Sequence, residues 1–162
     1  MRLTLFTDYS LRVLLYLGAH PDRRCSIAEV AKAYGISQNH LMKVVNELAR
    51  AGYVESSRGR SGGIRLGRAP EDINIGAVVR HAEDGFDLVD CGSCIIAPAC
   101  GMTDVLRQAV DAFLAVLDGY TLGDMLAKRN AFLGLFAHRE GVPAGPSAPA
   151  SARDADGSAR TG

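Results

Sequence analysis

The chain has 162 residues, 48% of them hydrophobic, and a formal net charge of zero. This length and hydrophobic content predict one domain with an ordinary core. The longest apolar run, residues 13–19, is far shorter than the roughly 18 residues of a membrane span, and Asp8 and Arg12 interrupt any signal-peptide core. These features exclude a membrane protein and predict the cytoplasm, where cysteine thiols stay reduced and can bind metal.

The zero net charge conceals an asymmetry along the chain. Residues 1–70 contain eleven Lys and Arg against five Asp and Glu, whereas residues 71–162 contain seven against thirteen. An excess of positive charge in one region is typical of a polyanion-binding surface, although charges can also segregate by chance on solvated faces.

The first predicted element is a helix. Thr7 can cap it, and it runs to about Ala19, where HPDRR breaks the pattern. Its apolar residues recur at helical spacing: Leu11, Leu14, Leu15 and Gly18.

The next two predicted helices form a helix-turn-helix. Ser26 can cap the helix IAEVAKAY, with Glu29 as its capping-box partner. Gly35 ends this helix, and Ser37 begins a third helix that runs to about Ala51. Two short amphipathic helices joined by the turn GIS are typical of this motif.

After Gly52 the apolar period changes from helix to strand. YVESS and IRLG predict two short strands, joined by the arginine-containing turn RGRSGG. A helix-turn-helix followed by a basic hairpin predicts a winged helix that binds DNA.

A further helix is predicted in EDINIGAVVRHAE, after Pro70, and a long one from Met102 to about Leu117. In the long helix, apolar residues at 102, 106, 109, 113 and 116 step by four and three, which is a heptad seam. A homodimer would cover this seam, and packing on the chain's own winged helix is the alternative.

The predicted fold class is mostly α: a winged helix-turn-helix with a long dimerisation helix and a cysteine-rich loop. Its predicted divisions are a DNA-binding domain over residues 1–80, a loop over 81–101 and a helical segment over 102–138. The remaining residues, 139–162, are rich in Gly, Pro, Ala and Ser and predict a disordered tail.

Three of the four cysteines, Cys91, Cys94 and Cys100, have the spacing C-x2-C-x5-C in a loop of glycine, serine and proline. Clustered thiolates select zinc or iron. Zinc sites usually use two separated ligand pairs, and no second pair exists here, so the spacing favours an iron-sulfur cluster, [2Fe-2S] or [4Fe-4S]. A Cys91–Cys94 disulfide switch and a zinc-stabilised interaction module are the alternatives. Cys25 stands alone and is interpreted as structural.

Three segments resemble the winged-helix family of iron-sulfur transcriptional regulators, in particular its nitric-oxide-sensing repressors: LTLFTDYSLRVLLYL, SQNHLMKVVNELARAGYVESSRGRSGGIRLG and LVDCGSCIIAPAC. The similarity covers about residues 1–135. It implies a homodimeric, cluster-bound repressor, not an enzyme, that leaves DNA when nitric oxide attacks the iron. Such sensors often space the first two cysteines more widely, so regulation by redox or iron status is the alternative.

The resemblance also suggests a fourth ligand. A relative that regulates cluster assembly has a histidine three residues after its last cysteine, where this chain has Thr103. In the nitric-oxide sensors an acidic residue of the first helix reaches the cluster across the dimer, and the matching residue is Asp8. An oxygen ligand would be more labile than a thiolate. Asp8 also suits a helix start by itself, and the local alternatives are Asp87, Asp90 and His81.

The N-terminal part of the third helix is expected to read bases in the major groove of an operator with an inverted repeat. Two wing arginines are expected to contact phosphates or a narrow minor groove. The predicted DNA-binding residues are Ser37, Gln38, Asn39, His40, Lys43, Arg58 and Arg60.

Overall fold

The computed structural model describes residues 2–59 and 62–140, which contain seven α-helices and one antiparallel pair of strands. In chain order these are α1 Leu5–Ala19, α2 Ile27–Tyr34, α3 Gln38–Arg50, β1 Val54–Ser57, β2 Gly63–Leu66, α4 Ile75–Ala82, α5 Met102–Asp118, α6 Leu122–Met125 and α7 Arg129–Glu140. Three short 3₁₀ turns connect them, at Pro70–Asp72, Ala97–Ala99 and Leu126–Lys128. The predicted mostly α architecture with a small hairpin is confirmed.

Helix α1 lies at the centre of the fold and packs against α3, α4, β2, α6 and α7. Its N-cap is Thr4, whose hydroxyl accepts a hydrogen bond from Thr7 N. The prediction that Thr7 caps this helix is therefore wrong by one turn. Thr7 is fully buried inside the first turn, and its hydroxyl donates to Glu83.

The helix-turn-helix forms as its capping residues predict. Ser26 accepts a hydrogen bond from the backbone of Glu29, and the Glu29 carboxylate accepts one from Ser26 N, which completes the capping box. Gly35 ends α2 with a φ of 67°, a left-handed conformation that favours glycine. Helix α3 then buries an apolar face against α1 and α2: Leu41, Val44, Val45 and Leu48.

The wing is a two-stranded hairpin in which Val54 pairs with Leu66 and Ser57 with Gly63. Cys25 extends the hairpin by one bridge, because its N–H and C=O both bond to Ile64, at 2.9 and 2.8 Å. This bridge anchors the wing to the segment before α2. The predicted structural role of Cys25 agrees with its position.

Helix α5 packs on α4 through Val110 and Leu114, which belong to the common core. The other side of the helix is not covered by the chain itself, since Met102 and Val116 are 57% and 62% exposed. The predicted seam is thus divided: Phe113 is half-buried, and the two ends of the seam face solvent.

The C-terminal boundary lies slightly later than predicted. Helix α7 ends at Glu140, so it includes residues 139 and 140, the first two of the predicted disordered tail. The rest of that tail, residues 141–162, lies outside the described residues. No helix in the described part of the chain is long and apolar enough to cross a membrane.

Leu41 and Met42 are neighbours on α3 that differ in burial, 0% against 45% exposed. We expect Leu41→Ala to lower the free energy of unfolding by about 2–5 kcal/mol, because it leaves a cavity under the helix. Met42→Ala is the matched control and should change it by no more than about 0.5 kcal/mol. Urea unfolding measures both. Equal losses would contradict the described orientation of α3.

Candidate functional site

Helix α3 presents one face to solvent in front of the core. The five residues predicted to read bases are all exposed there: Ser37, Gln38, Asn39, His40 and Lys43. Ser37 is the N-cap but makes no side-chain capping hydrogen bond, so its hydroxyl is not used by the helix. Met42, one helical turn after Gln38, is not among the DNA-binding residues predicted from the sequence. The apolar side chain of Met42 shares the exposed face.

The ring of Tyr9 in α1 stacks near the ring of His40, with 6.4 Å between centroids and 26° between planes. This contact links the central helix to a predicted base-reading side chain. Tyr9 did not stand out in the sequence, because its distance from His40 along the chain hides the contact.

Several basic residues of the first 70 positions are engaged within the fold, in two ways. Several arginines are held by carboxylates: Arg12 by Asp8, Arg23 by Glu29, Arg24 and Arg65 by Glu55, and Arg50 by Glu47. Arg68 instead donates to the carbonyl oxygens of Ala51 and Gly52 at the end of α3 and lies over the Tyr53 ring.

Lys43 and Arg58 take part in none of the ion pairs found among the described residues. Lys43 lies on the exposed face of α3, and Arg58 is exposed after β1. Positive charge outside the described ion pairs therefore remains at the recognition helix and the wing, and also at the exposed residues Arg2 and Lys32. Arg60, the second predicted wing arginine, lies outside the described residues.

The cysteine loop is built from consecutive turns of three residues. Cys94 N donates to the carbonyl oxygen of Cys91 at 3.3 Å, Ala97 N to that of Cys94 at 3.1 Å, and Cys100 N to that of Ala97 at 3.2 Å. Of this series, Ala97–Ala99 forms a 3₁₀ helix. All three cysteines thus stand at junctions of one series of turns, and the small residue Ala97 occupies the fourth junction.

The three cysteines of the loop are free of disulfide bonds, and their thiols are accessible: Cys94 is exposed, and Cys91 and Cys100 are intermediate. Their sulfur atoms do not converge, since the described residues contain no group of three or more His, Cys, Asp or Glu side chains arranged to hold a metal ion. Three accessible thiols in one short loop fit an iron-sulfur cluster by donor chemistry, one ligand short of four. Cys25 differs, because burial raises the pKa of its thiol to about 11.

The proposed oxygen ligand, Asp8, is held on its own helix. Arg12 Nε and Nη2 lie 2.8 Å from Asp8 Oδ1 and Oδ2, a bidentate pair. The structure does not bring Asp8 into a common ligand group with the loop thiols of its own chain.

Two of the alternative candidates for the fourth ligand, Asp90 and His81, have other partners in the structure. Asp90 accepts hydrogen bonds from Gly92 N and Ser93 Oγ inside the loop. His81 Nε2 lies 3.8 Å from Glu47 Oε1 on α3. Thr103, which occupies the position of the relative's histidine, contacts a cysteine: its Oγ1 lies 3.3 Å from Cys91 Sγ.

A cleft of about 760 Å³ lies between the segment before the cysteines and helix α5. Asp87, Asp90 and Cys91 line one side, and Thr103 and Arg107 line the other. The first cysteine is thus accessible from a partly polar cleft, whereas the tip of the loop is apolar, with Ile95 95% exposed.

A winged helix-turn-helix with an exposed recognition face and uncompensated positive charge defines the chain as a DNA-binding transcriptional regulator. The model of the Rrf2 family, described as an iron-dependent transcriptional regulator, matches residues 3–128. The chain belongs to the Rrf2 family, as the sequence motifs predicted. Members of this family are regulators and not enzymes.

Curated relatives support the same assignment. The chain is 51% identical to the HTH-type transcriptional regulator NsrR of Bacillus subtilis over 146 residues, which cover 86% of the chain and all of that protein. It is 52% identical to NsrR of Bacillus licheniformis over 136 residues, with coverages of 80% and 95%.

Solved structures of family members have the same fold. T. potens IscR matches with a TM-score of 0.66 and 26% identity and covers 90% of this chain and 94% of its own. CymR, the global cysteine regulator of B. subtilis, matches with a TM-score of 0.63 and 26% identity, with coverages of 79% and 98%.

We expect Arg58→Ala to weaken binding to all DNA sequences and to lower the slope of log affinity against log salt by about 1, because a phosphate contact is lost. Arg107→Ala is the control, since Arg107 is an exposed arginine on α5 paired with Asp104. Fluorescence anisotropy over a salt series measures both. If Arg107→Ala changed the slope as much as Arg58→Ala, the wing would not be the phosphate contact.

Proposed function

We propose that this protein is a cytoplasmic, iron-sulfur-dependent repressor that loses operator affinity when nitric oxide reacts with its cluster. The observation that most supports this proposal is the series of turns that joins Cys91, Cys94 and Cys100 in a chain that also forms a DNA-binding winged helix. The description of the family as iron-dependent and the name NsrR of its relatives support this proposal.

The three thiolates of the loop would hold the cluster, either [2Fe-2S] or [4Fe-4S]. When bound, the cluster supplies iron that reacts with nitric oxide. The loop leaves the three thiols accessible, and with three thiolates one coordination position would remain for a different donor. A weaker oxygen donor at that position suits a sensor, because it exchanges more readily than a thiolate.

We assign this fourth position to Asp8 of the partner subunit. In its own chain Asp8 lies in the first turn of α1, 38% exposed and paired with Arg12. This exposed ion pair is weak, since such pairs contribute about 0–1 kcal/mol in water. Asp8 can therefore leave Arg12 for a metal at low cost, and α1 would follow the state of the loop across the dimer.

A homodimer follows from the uncovered side of α5. Met102, Val105 and Val116 are large apolar side chains that this helix leaves exposed in one chain. Pairing α5 with its copy would bury them. A two-fold dimer presents two recognition helices to an inverted repeat whose half-sites lie about 34–36 Å apart. Removing the tie between Asp8 and the loop would change the spacing of these helices.

The cluster is tested by single replacement of the loop cysteines. We expect Cys91→Ala, Cys94→Ala and Cys100→Ala each to abolish the visible absorbance of anaerobically purified protein, because each removes one thiolate. Cys25→Ala is the control and should keep the colour, since Cys25 is buried in the wing bridge. A colourless wild type that carries zinc would instead indicate a zinc-stabilised interaction module.

Replacement of Asp8 tests the fourth ligand. We expect Asp8→Ala to retain iron through the three thiolates but to lose most operator affinity or its orderly response to nitric oxide. Asp8→Cys should give a more stable cluster that reacts more slowly, because a thiolate binds iron better than a carboxylate. Operator affinity and stepwise anaerobic titration with nitric oxide measure these effects. If Asp8→Ala behaved like the wild type, Asp8 would not be the fourth ligand, and a residue of the loop itself would have to supply it.

A further inference from the structure

The last turn of α4, where the chain enters the cysteine loop, contacts three other helices. Arg80 forms a two-point ion pair with Asp118 at the end of α5, with Nη2 2.7 Å from Oδ2. His81 faces Glu47 of α3, and Glu83 reaches the first turn of α1. This turn is thus the point at which the base of the loop is fixed to the rest of the fold.

The contact of Glu83 with α1 is the most extensive of the three. Glu83 Oε1 accepts hydrogen bonds from Thr4 N at 2.8 Å and from Thr4 Oγ1 at 3.0 Å. The hydroxyl of the buried Thr7 donates to the same oxygen. We call this group of three residues the Glu83 clasp.

The charge of Glu83 strengthens the clasp. Partial burial acts to raise the pKa of its carboxyl, but the hydrogen bonds from Thr7 and Thr4 outweigh burial and lower the pKa below its ordinary value. The carboxylate is therefore ionised at neutral pH and lies at the N-terminus of α1, where the helix dipole favours negative charge. Because one oxygen of Glu83 accepts three hydrogen bonds from residues 4 and 7, its carboxylate stabilises the start of α1.

The position of the clasp in the chain gives it a function. Glu83 is the C-cap of α4 and begins the segment that leads to Cys91. On the other side of the clasp, Asp8 and Tyr9 directly follow Thr7, and Tyr9 faces His40 of the recognition helix. The clasp thus joins the base of the cysteine loop to a helical turn that contacts the DNA-reading surface.

We propose that Glu83 is a positioning residue that transmits the state of the cysteine loop to the recognition helix through α1 of the same chain. This inference rests on the proposed function. It adds a route within one subunit to the tie that Asp8 would make between subunits. Without the clasp, a change in the order of the cysteine loop would not be transmitted to α1, and His40 would keep its position.

The test compares Glu83→Ala with Asp84→Ala, which removes the same charge from the neighbouring exposed position. The measured quantity is the ratio of operator affinities of loaded and cluster-free protein, anaerobically and at one salt concentration, with iron content determined for each. We expect Glu83→Ala to lower this ratio at least about fivefold at unchanged iron content, because a typical coupling is lost. Asp84→Ala should leave it unchanged, and Glu83→Gln should restore part of it.

Hydrogen exchange on the cluster-free protein makes the inference independent of iron. Glu83→Ala should accelerate exchange both in residues 2–10 and in residues 84–101, whereas Asp84→Ala should accelerate neither. Acceleration confined to residues 2–10, or an unchanged affinity ratio, would reduce Glu83 to a local cap and overturn the proposal. If Glu83→Ala does not fold, Thr7→Val removes one donor of the clasp and must show the same two effects.

The two proposals fail in different ways. If wild-type protein binds the operator equally with and without its cluster, the proposed sensing function is wrong, and hydrogen exchange alone decides whether the clasp links the two segments. If wild type shows a large ratio and Glu83→Ala keeps it, sensing stands and the Glu83 route is wrong.

Discussion

The burial of helix α1 is the constraint on which the rest of the fold depends. Its inner face is solvent-free from Val13 to Ala19, and the recognition helix, the wing strand β2 and helices α4, α6 and α7 all pack on it. At Gly18 the side chain of Leu126 occupies the position toward which a Cβ atom would project. Because α1 supports both the recognition helix and the wing, a displacement of α1 acts on the two DNA-binding elements together.

Local signals allowed much of this fold to be predicted. The capping box of Ser26 and Glu29, the turn at Gly35 and the change of period after Gly52 each lie within a few residues of the structure they specify. The start of α1 was misassigned because Thr4 and Thr7 are both good caps, and the sequence does not show that Glu83, 79 residues after Thr4, uses the hydroxyl of Thr7.

The candidate site was predictable in its residue types and not in its geometry. The cysteine spacing and the exposed face of α3 follow from sequence periods. The pairing of charges does not, because it depends on which carboxylate each arginine meets in space. Glu55 between Arg24 and Arg65 is an example, since the three residues lie in different segments. Such pairing engages Arg12, Arg23, Arg24, Arg50 and Arg65, and it leaves Lys43 and Arg58 among the exposed charges outside the described ion pairs.

The repeating turns of the cysteine loop have a consequence for how such loops can vary during evolution. Each turn uses three residues, and the cysteines occupy junctions that are one turn and two turns apart. Inserting or deleting a whole turn would keep every cysteine at a junction between turns, whereas a change of one or two residues would move a cysteine off these junctions. Loop length should therefore change in steps of three, and related chains with different cysteine spacings can keep every cysteine at a junction between turns.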